Sequence, residues 1–409
     1  MATEGSSDGL LGSRHVVRQR GAGAGFHAGS SGSSEWGGAV LGERPTVADI
    51  RLSAIRANFA FAARLAGARE VISVVKADGY GHGAVAVAGA LVAAGCSRLA
   101  VVTVAEALAL RDAGVVVPIL VLGGVHDAAG ADAAIASGVV PVVQRADQVD
   151  LLAARARAAG VRAHAQVEVD TGMRRMGVSD GDAAALAAKL AGESQLTLAG
   201  VFSHFAQADE PDLGPSLEQV RRFRAVLAEL RERGIDPGQV HVANSAALMA
   251  GAELADALPE ATAVRPGLML YGIRPAPHLP GELQAAMRLH TRVVQVRRVR
   301  AGESVGYGAT WRAPEDRWIA TLPIGYADGI PVASANRGRV LLGGRSAEIV
   351  GRVSMDFITV SAASEPAIDD VVELFGPELP VEEVAARADT LVYSLLVGVG
   401  ARIPRVICD

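Results

Sequence analysis

Eight short apolar runs, rich in β-branched residues and separated by stretches of helical character, dominate the chain from residue 70 to about residue 270. The runs are EVISVV, LAVVTV, VPILVL, VVPVV, AHAQVEV, LTLAGVFS, QVHVA and ATAVRPGLML. Segments rich in alanine and leucine, such as GAVAVAGALVAAG and DQVDLLAARARAAG, lie between them. Continuous apolar strands that alternate with helices are typical of a parallel sheet covered on both faces. Eight such units predict an α/β fold, a closed (β/α)8 TIM-type barrel over residues 44–280.

The segments on either side of this region have a different composition. Residues 1–43 are rich in glycine and serine and nearly lack large apolar side chains, so we expect a disordered N-terminal extension. Residues 281–409 contain RVVQVRRV, WIATLPI, RVLLGG, SAEIVGRVSM and DVVELFG, which predict a second, mostly β domain. The final segment, TLVYSLLVGVGARIPRVICD, predicts a short helix followed by a strand.

Charge and cysteine content exclude several classes of protein. A net charge of −5 lacks the basic excess that nucleic-acid binding requires, and no apolar run is long enough to span a membrane. Two cysteines, Cys96 and Cys408, form neither a disulfide framework nor a metal-binding spacing. We therefore expect a cytoplasmic protein that acts on a small molecule, with no metal, nucleic acid or membrane as its partner.

The use of lysine singles out one position. Of the 39 lysine and arginine residues, only Lys76 and Lys189 are lysine. Lys76 ends the first predicted strand, in SVVKADGYGHG, whereas Lys189 lies in a helical stretch and has the character of a solvated surface residue. An arginine stays protonated, but a lysine can lose its proton and attack a carbonyl group. Lys76 is therefore a candidate for a covalent bond to a carbonyl compound, and the alternative is an ordinary surface lysine.

Polar clusters follow four further strands, where barrel enzymes carry their active sites. They are VEVDTGMRRMG (167–177), VFSHFAQAD (201–209), VHVANSAA (240–247) and VRPGLMLYG (264–272). Taken alone, His204 would be a structural histidine and Arg265 a turn residue, but their shared location favours a functional interpretation. Ser245 and Gly267 offer hydroxyl and N–H donors where such barrels bind phosphate. A carbonyl-reactive lysine beside a phosphate site implies pyridoxal phosphate (PLP).

With these motifs the chain resembles the alanine racemases, PLP-dependent enzymes of fold type III, from residue 44 to residue 409. The matching segments are VVKADGYGHG, VDTGMRRMG, HFAQAD, ANSAA, VRPGLMLYG, GYGATW, GYADG, GRVSMD and RIPRV. The resemblance implies a barrel followed by a β domain, a head-to-tail homodimer with shared active sites, and PLP as the cofactor. It also implies racemisation of alanine, which would supply D-alanine for peptidoglycan.

The resemblance assigns the proton-transfer residues and those around them. Lys76 would hold PLP and act as the base on one face of the substrate, and Tyr307 of the partner subunit would act on the opposite face. A tyrosine in a β domain is otherwise a packing residue. Arg265 would face the pyridine nitrogen, and His204 and His241 would belong to a hydrogen-bond chain from Tyr307 to Arg265.

The resemblance also implies the binding residues. Those for the cofactor are Lys76, Tyr80, Arg175, His204, Ser245, Arg265, Gly267 and Tyr393, among which Tyr80, Ser245, Gly267 and Tyr393 would contact the phosphate. Arg175 would lie near the PLP phenolic oxygen and the substrate carboxylate. Met355 and Asp356 would form the partner's contribution to the substrate side.

Several positions depart from the family pattern, among them Glu168, Ile330 and Val332. Glu168 stands where relatives often carry a lysine that becomes carbamylated. Because strand alternation sends Glu168 and Gln166 to the same face, we expect Glu168 to form an ion pair with Arg175. Ile330 and Val332 replace an aromatic residue and an arginine of the substrate access corridor.

Three functions are therefore open at this point. The first is alanine racemisation, and the second is racemisation of serine or of a broader set of amino acids. The third is a catalytically weak PLP-binding protein with a regulatory role, against which the GYGAT segment with Tyr307 argues.

Overall fold

The computed structural model describes residues 44–409, and the predicted disordered extension, residues 1–43, lies outside the described residues. Two large sheets organise the described part: a closed parallel barrel and a nine-stranded, mostly antiparallel sheet. The predicted fold class, a TIM-type barrel followed by a mostly β region, is confirmed. No helix within residues 44–409 is both long and apolar enough to cross a bilayer.

The barrel consists of the eight apolar runs that the sequence pattern predicts. The first described strand, β1 (Val47–Arg51), belongs to the second sheet, and the barrel begins at β2 (Glu70–Val74). The following strands are β3 (Arg98–Val101), β4 (Ile119–Val121), β5 (Val140–Val143), β6 (Ala163–Asp170), the short β7 (Val178–Ser179) beside β6, β8 (Leu196–Phe202), β9 (Gln239–His241) and β10 (Ala263–Val264). The barrel closes because β5 pairs with β6 and β10 pairs with β2, all in parallel.

Eleven α-helices lie in the described residues, and the ends of three of them have recognisable local causes. They are α1 (Leu52–Ala66), α2 (Lys76–Tyr80), α3 (Ala84–Ala93), α4 (Val104–Asp112), α5 (Ala128–Ala136), α6 (Ala146–Ala159), α7 (Ala183–Gly192), α8 (Gly214–Glu232), α9 (Ser245–Met249), α10 (Val381–Arg387) and α11 (Val392–Gly398). Thr103 and Glu106 form a capping box at the start of α4, and the Asp127 side chain accepts from the Gly130 N–H at the start of α5. Gly160, in the left-handed conformation, ends α6.

The second sheet has the strand order β12-β15-β18-β17-β16-β19-β11-β1-β20. Its strands beyond β1 are β11 (Met287–Arg292), β12 (Gln295–Val299), β15 (Arg317–Leu322), β16 (Arg339–Leu342), β17 (Arg345–Ile349), β18 (Ile358–Ala362), β19 (Val371–Phe375) and β20 (Arg405–Cys408). A separate hairpin of β13 (Ser304–Val305) and β14 (Trp311–Arg312) carries the 3-10 turn Tyr307–Ala309. The predicted C-terminal helix and strand are α11 and β20.

The position of β1 differs from the prediction. We expected the barrel to start at residue 44, but β1 pairs antiparallel with β11 and parallel with β20. The buried Asp49 of β1 lies 2.9 Å from Nε2 of His290 on β11. A five-residue strand with such distant partners has no local signal that tells which sheet it joins, so the error has a simple physical cause. The boundary between residues 280 and 281 stays a prediction.

Candidate active site

A cavity of about 650 Å³ lies at the carboxyl ends of the barrel strands. Most of the predicted site residues line it: Lys76, Tyr80, Glu168, Arg175, His204, Ser245, Arg265, Gly267 and Tyr393. His241 lies behind the cavity wall, against Arg265. Tyr307, Met355 and Asp356 do not line it.

The short element α2 is not a regular α-helix, because the chain makes a left-handed turn directly after Lys76. Ala77, Asp78 and Gly79 have φ angles of 51°, 53° and 61°, and Tyr80 has a φ of 52°. This conformation costs a non-glycine residue roughly 1–2 kcal/mol, so the surrounding bonds must hold it. Strained backbone of this kind is concentrated at functional sites.

Two carboxylates stabilise this turn. Oε1 of Glu106 accepts a hydrogen bond from the Ala77 N–H over 2.6 Å, and its Oε2 accepts from the Val102 N–H over 2.8 Å. Oδ1 of Asp78 accepts from the Ala84 N–H over 2.8 Å, which joins the turn to α3. The backbone next to the Lys76 amine is therefore fixed from two sides.

The environment of Lys76 favours its neutral amine. Burial lowers the pKa of Lys76, the positive charges of Arg175 and Arg265 lower it further, and Glu106 acts in the opposite direction. A larger neutral fraction makes the amine a better nucleophile and a better base. The other lysine, Lys189, lies on α7 and forms an ion pair of 2.6 Å with Asp150.

A group of neutral donors lines the side of the cavity near α9. Oγ of Ser245 accepts from the Gly267 N–H over 2.9 Å, so its own proton remains available to another acceptor. Burial raises the pKa of the Tyr80 and Tyr393 phenols, which keeps both protonated. A Cβ atom at Gly267 would lie 2.5 Å from the Tyr80 hydroxyl oxygen, so only glycine fits there. These hydroxyls suit an anionic group such as a phosphate.

Arg265 is buried, and its two terminal nitrogens donate hydrogen bonds to neighbouring groups of the barrel. It donates to Nδ1 of His241, to Nδ1 of His204 over 2.8 Å and to the Ser203 carbonyl oxygen over 3.1 Å. Because a guanidinium only donates, both Nδ1 atoms must accept, which places the proton of each neutral imidazole on Nε2. Nε2 of His241 lies 2.9 Å from Oε1 of Gln166.

Of the three side chains Arg265, His204 and His241, only Arg265 is charged at neutral pH. Burial, followed by the charge of Arg265, lowers the pKa of both His204 and His241 well below the ordinary histidine value. Burial lowers the pKa of Arg265 to about 10, which leaves the guanidinium charged at neutral pH. This group of three side chains therefore carries one fixed positive charge, on Arg265, between two neutral histidines.

The prediction of an ion pair between Glu168 and Arg175 is wrong. The Glu168 carboxylate is buried and accepts a hydrogen bond from Nε2 of Gln144 over 2.9 Å, and no contact within 4.0 Å joins it to Arg175 in the described chain. Arg175 is exposed at the rim of the cavity. Strand alternation is as expected, because Glu168 and Gln166 both point into the barrel.

The remaining predicted residues lie on the second sheet and its loops. Tyr307 is 72% exposed and Met355 is 52% exposed. The Asp356 carboxylate accepts from Arg402 over 2.9 Å, and Arg402 also forms an ion pair of 2.9 Å with the buried Asp328. Within one chain, these residues do not meet the cavity of Lys76.

Ile330 and Val332 follow the turn that Asp328 closes. Val332 is 60% exposed, and Ile330 packs partly against the apolar core.

The sequence patterns did not predict the contacts of three polar residues of the site. Glu106 holds the turn after Lys76, Gln144 holds Glu168, and Gln166 contacts His241. A signal existed for Gln144, because it is a polar residue directly after the apolar strand β5. Glu106 was visible only as a helix cap, and Gln166 as one polar residue within a strand.

Comparison with known proteins agrees with this arrangement. The family model for the alanine racemase N-terminal domain matches residues 50–275, and the model for the alanine racemase C-terminal domain matches residues 286–407. The alanine racemase of Desulforamulus reducens is 42% identical over 372 residues, which cover 89% of this chain and 99% of that protein.

Solved structures give the same result. The alanine racemase of Streptomyces lavendulae, a producer of D-cycloserine, superimposes with a TM-score of 0.84 and 35% identity, covering 90% of this chain and 98% of that chain. The alanine racemase of Bartonella henselae, described with covalently bound pyridoxal phosphate, has a TM-score of 0.81 and 31% identity, covering 89% and 99%. On these matches across both sheets, the chain belongs to the alanine racemase family.

Proposed function

We propose that this protein interconverts L- and D-alanine with PLP as its cofactor. One observation carries the proposal: a lysine whose pKa is lowered shares a cavity with neutral hydroxyl donors and a buried arginine. The relatives support it, because they are alanine racemases and the Bartonella henselae structure holds covalently bound PLP.

The residues of the cavity fit PLP. Its volume of about 650 Å³ is in the usual range for small cofactors. Tyr80, Ser245, Gly267 and Tyr393 would hold the phosphate, and Lys76 would bond to the aldehyde carbon. Arg265 would face the pyridine nitrogen and, as a cation, keep that nitrogen unprotonated. When bound to an amino acid, PLP withdraws electrons from its α-carbon and makes the α-proton acidic.

Racemisation needs one proton acceptor and one proton donor on opposite faces of the α-carbon. Nζ of Lys76 would serve one face, where burial and two arginines favour the neutral amine. Tyr307 of the partner subunit would serve the other face through its hydroxyl oxygen. The exposure of Tyr307 on the turn between β13 and β14 supports this role, because that side chain is available to a second subunit.

The active unit is therefore a homodimer with shared sites. Met355 and Asp356 would join Tyr307 on the partner's side of the substrate, where the Asp356–Arg402 ion pair holds their loop. Arg175, exposed at the rim, would bind the substrate carboxylate. His204 would link the hydroxyl of the partner's tyrosine to Arg265, to which it is already hydrogen-bonded.

The cellular role follows from the product. D-Alanine is a component of peptidoglycan, and we assign the enzyme to the supply of D-alanine in the cytoplasm.

Three measurements on purified protein test the proposal. The protein should absorb visible light, borohydride should fix the cofactor on the peptide that contains Lys76, and L-alanine should yield D-alanine. Lys189 is the internal control, and a label on Lys189 would contradict the assignment. Faster turnover of L-serine than of L-alanine would replace alanine by serine as the substrate, and bound PLP without any racemisation would indicate a regulatory protein.

A further inference from the structure

A chain of hydrogen bonds runs through the barrel from Arg265, at the carboxyl ends of the strands, to Glu70 at the opposite end. Arg265 donates to Nδ1 of His241, and Nε2 of His241 lies 2.9 Å from Oε1 of Gln166. Nε2 of Gln166 donates to Oε1 of Gln239 over 3.1 Å, and Nε2 of Gln239 donates to Oε2 of Glu70. His241 and Gln166 are completely buried.

The two ends of this chain determine the direction of every bond in it. A guanidinium has only donors and a carboxylate has only acceptors. Gln239 must therefore turn its NH2 group to Glu70 and its oxygen to Gln166, and Gln166 must turn its oxygen to His241. The imidazole then carries its proton on Nε2 and presents a lone pair at Nδ1 to Arg265. Reversing either amide would bring two donors or two acceptors together.

The backbone beside Gln166 is adapted to this side chain. Ala165 pairs with Leu198 and Gln166 pairs with Gly200, so β8 contains one extra residue at this point. Such a bulge changes the direction of the side chains around it. A Cβ atom at Gly200 would lie 2.8 Å from Cδ of Gln166, so the neighbouring strand leaves room for the amide.

The surroundings of His241 keep its imidazole neutral, so that only one of its two ring nitrogens carries a proton. Burial lowers the pKa of His241, and the charges of Arg265 and Arg98 and the nearby His204 lower it further. The ring of Phe202 stacks on the imidazole with centroids 4.7 Å apart. The imidazole is therefore neutral, and the two hydrogen bonds at its nitrogens decide which of them is protonated.

The far end of the chain is an anchored carboxylate. Nε of Arg98 lies 3.3 Å from Oε2 of Glu70, and the Ser97 hydroxyl donates to Oε1 of Glu70 over 2.6 Å. In this ion pair Glu70 is a carboxylate, and a carboxylate can only accept hydrogen bonds.

We propose that Gln166, Gln239 and Glu70 are positioning residues for Arg265. They hold His241 with its proton on Nε2, so that Nδ1 remains an acceptor and the guanidinium keeps a single orientation. The consequence for the cofactor rests on the proposed function, because Arg265 is the residue that we place beside the pyridine nitrogen. The position of the proton on His241 does not depend on that function.

The test compares Gln166→Glu with Gln166→Met in full-length holoenzyme containing isotope-labelled histidine. A carboxylate at this position still accepts from Nε2 but favours the imidazolium, and it offers no NH2 group to Gln239. We expect Nδ1 of His241, unprotonated in the wild type, to become protonated in Gln166→Glu near the ordinary histidine pKa of about 6.5. The visible absorbance of bound PLP should change with pH over the same range.

Gln166→Met has a similar size but removes both hydrogen bonds. We expect kcat to fall roughly tenfold, with KM for L-alanine within about twofold, because a misplaced Arg265 affects the reaction more than substrate binding. A Gln166→Glu holoenzyme whose histidine signals and absorbance titration equal those of the wild type would overturn the proposal. A wild-type protein without PLP on Lys76 would instead contradict the proposed function, and the histidine signals would still report on the hydrogen-bond chain.

Two variants at the far end of the barrel, Glu70→Gln and its control Ser97→Ala, test whether Glu70 determines the direction of the hydrogen bonds. Glu70→Gln replaces a carboxylate, which only accepts hydrogen bonds, by an amide that can also donate. We therefore expect Nδ1 of His241 to become protonated in this variant too, but in a smaller fraction of the molecules than in Gln166→Glu. Ser97→Ala removes a hydrogen bond from the other oxygen of Glu70 and should leave those signals unchanged. Equal spectra for the two variants would remove Glu70 from the proposal.

Discussion

The side-chain amide of Gln144, at the end of β5, donates a hydrogen bond of 2.9 Å to the carboxylate of Glu168 on β6. This contact fixes Glu168 in the cavity wall and leaves Arg175 at the rim without a direct bond to it. The charges of Arg265 and Arg175 still act on Glu168, and both favour its ionised form. Burial outweighs these charges and raises the pKa of Glu168, so an unmodified glutamate supplies an anion that titrates above its ordinary pKa.

Replacing Glu168 by glutamine should lower kcat/KM for L-alanine by about 1–3 kcal/mol, the range for losing a charged hydrogen-bonded group. Burial raises the pKa of Glu168 above its ordinary value of 4.5. As the pH is lowered, kcat/KM of the wild type should therefore begin to decline while the pH is still above 4.5. Glu168→Gln should lack this decline. Steady-state kinetics across pH check both effects, with bound PLP measured by absorbance.

The control for this prediction is added bicarbonate. No carbamylation is needed where a glutamate supplies the charge, so bicarbonate should change neither the wild type nor the variant. Kinetics of Glu168→Gln within about twofold of the wild type would show that the anion has no part in the reaction.

Replacing Gln144 by methionine should raise the pKa of Glu168 further. The hydrogen bond from Gln144 stabilises the carboxylate and is the largest of the interactions that lower this pKa, so its loss favours the protonated acid. The acidic decline of kcat/KM should then move to higher pH. Combining Gln144→Met with Glu168→Gln is the control, because without a carboxylate the shift must disappear; a shift that persists would assign the titration to another group.

The sequence was sufficient for the barrel and for the position of Lys76, because both depend on local patterns. Each of the eight strands is a continuous apolar run, and the carboxyl ends of parallel strands meet at one face. The contacts of Gln144 with Glu168 and of Gln166 with His241 depend on which strand lies beside which, and on how far each is shifted. The pairing of β1 with β20 joins the two ends of the described chain, which no local pattern reveals.

The location of Tyr307 had to be predicted from the family rather than from residue patterns. Its turn is exposed and no partner of its hydroxyl lies within residues 44–409 of the same chain. The role that we propose for it depends on a second subunit.

Mixing Lys76→Ala chains with Tyr307→Phe chains should restore activity that neither has alone. In a heterodimer one site receives an intact lysine from one chain and an intact tyrosine from the other. With equal amounts and free exchange, half of the dimers are mixed and each has one intact site, so about a quarter of wild-type activity is expected. Racemase assays after verified subunit exchange measure it.

The matched control is a mixture of Lys76→Ala chains with chains that carry both substitutions, which contains no intact site. Activity in that control, or none in the first mixture, would contradict a site shared between subunits.

A buried histidine should make the stability of the protein depend on pH. His82 is completely buried, its Nδ1 donates to the Tyr80 carbonyl oxygen over 2.9 Å, and its ring lies 4.7 Å from that of Tyr271. Burial lowers the pKa of His82 from 6.5 to about 4, so below pH 6.5 the unfolded chain binds a proton that the folded chain does not. Stability should therefore fall with decreasing pH, by roughly 2 kcal/mol for this residue between about pH 7 and pH 5.

His82→Asn tests this dependence, because asparagine keeps a donor for the Tyr80 carbonyl oxygen but does not titrate. The variant should be less stable than the wild type at neutral pH, since it leaves a gap in the core, yet it should lose less stability on acidification. The exposed His164 on β6 supplies the control His164→Asn, which should retain the wild-type dependence. Thermal unfolding of all three proteins at several pH values measures the differences. Equal loss of Tm in His82→Asn and in the wild type would show that His82 does not remain neutral in the folded protein at acidic pH.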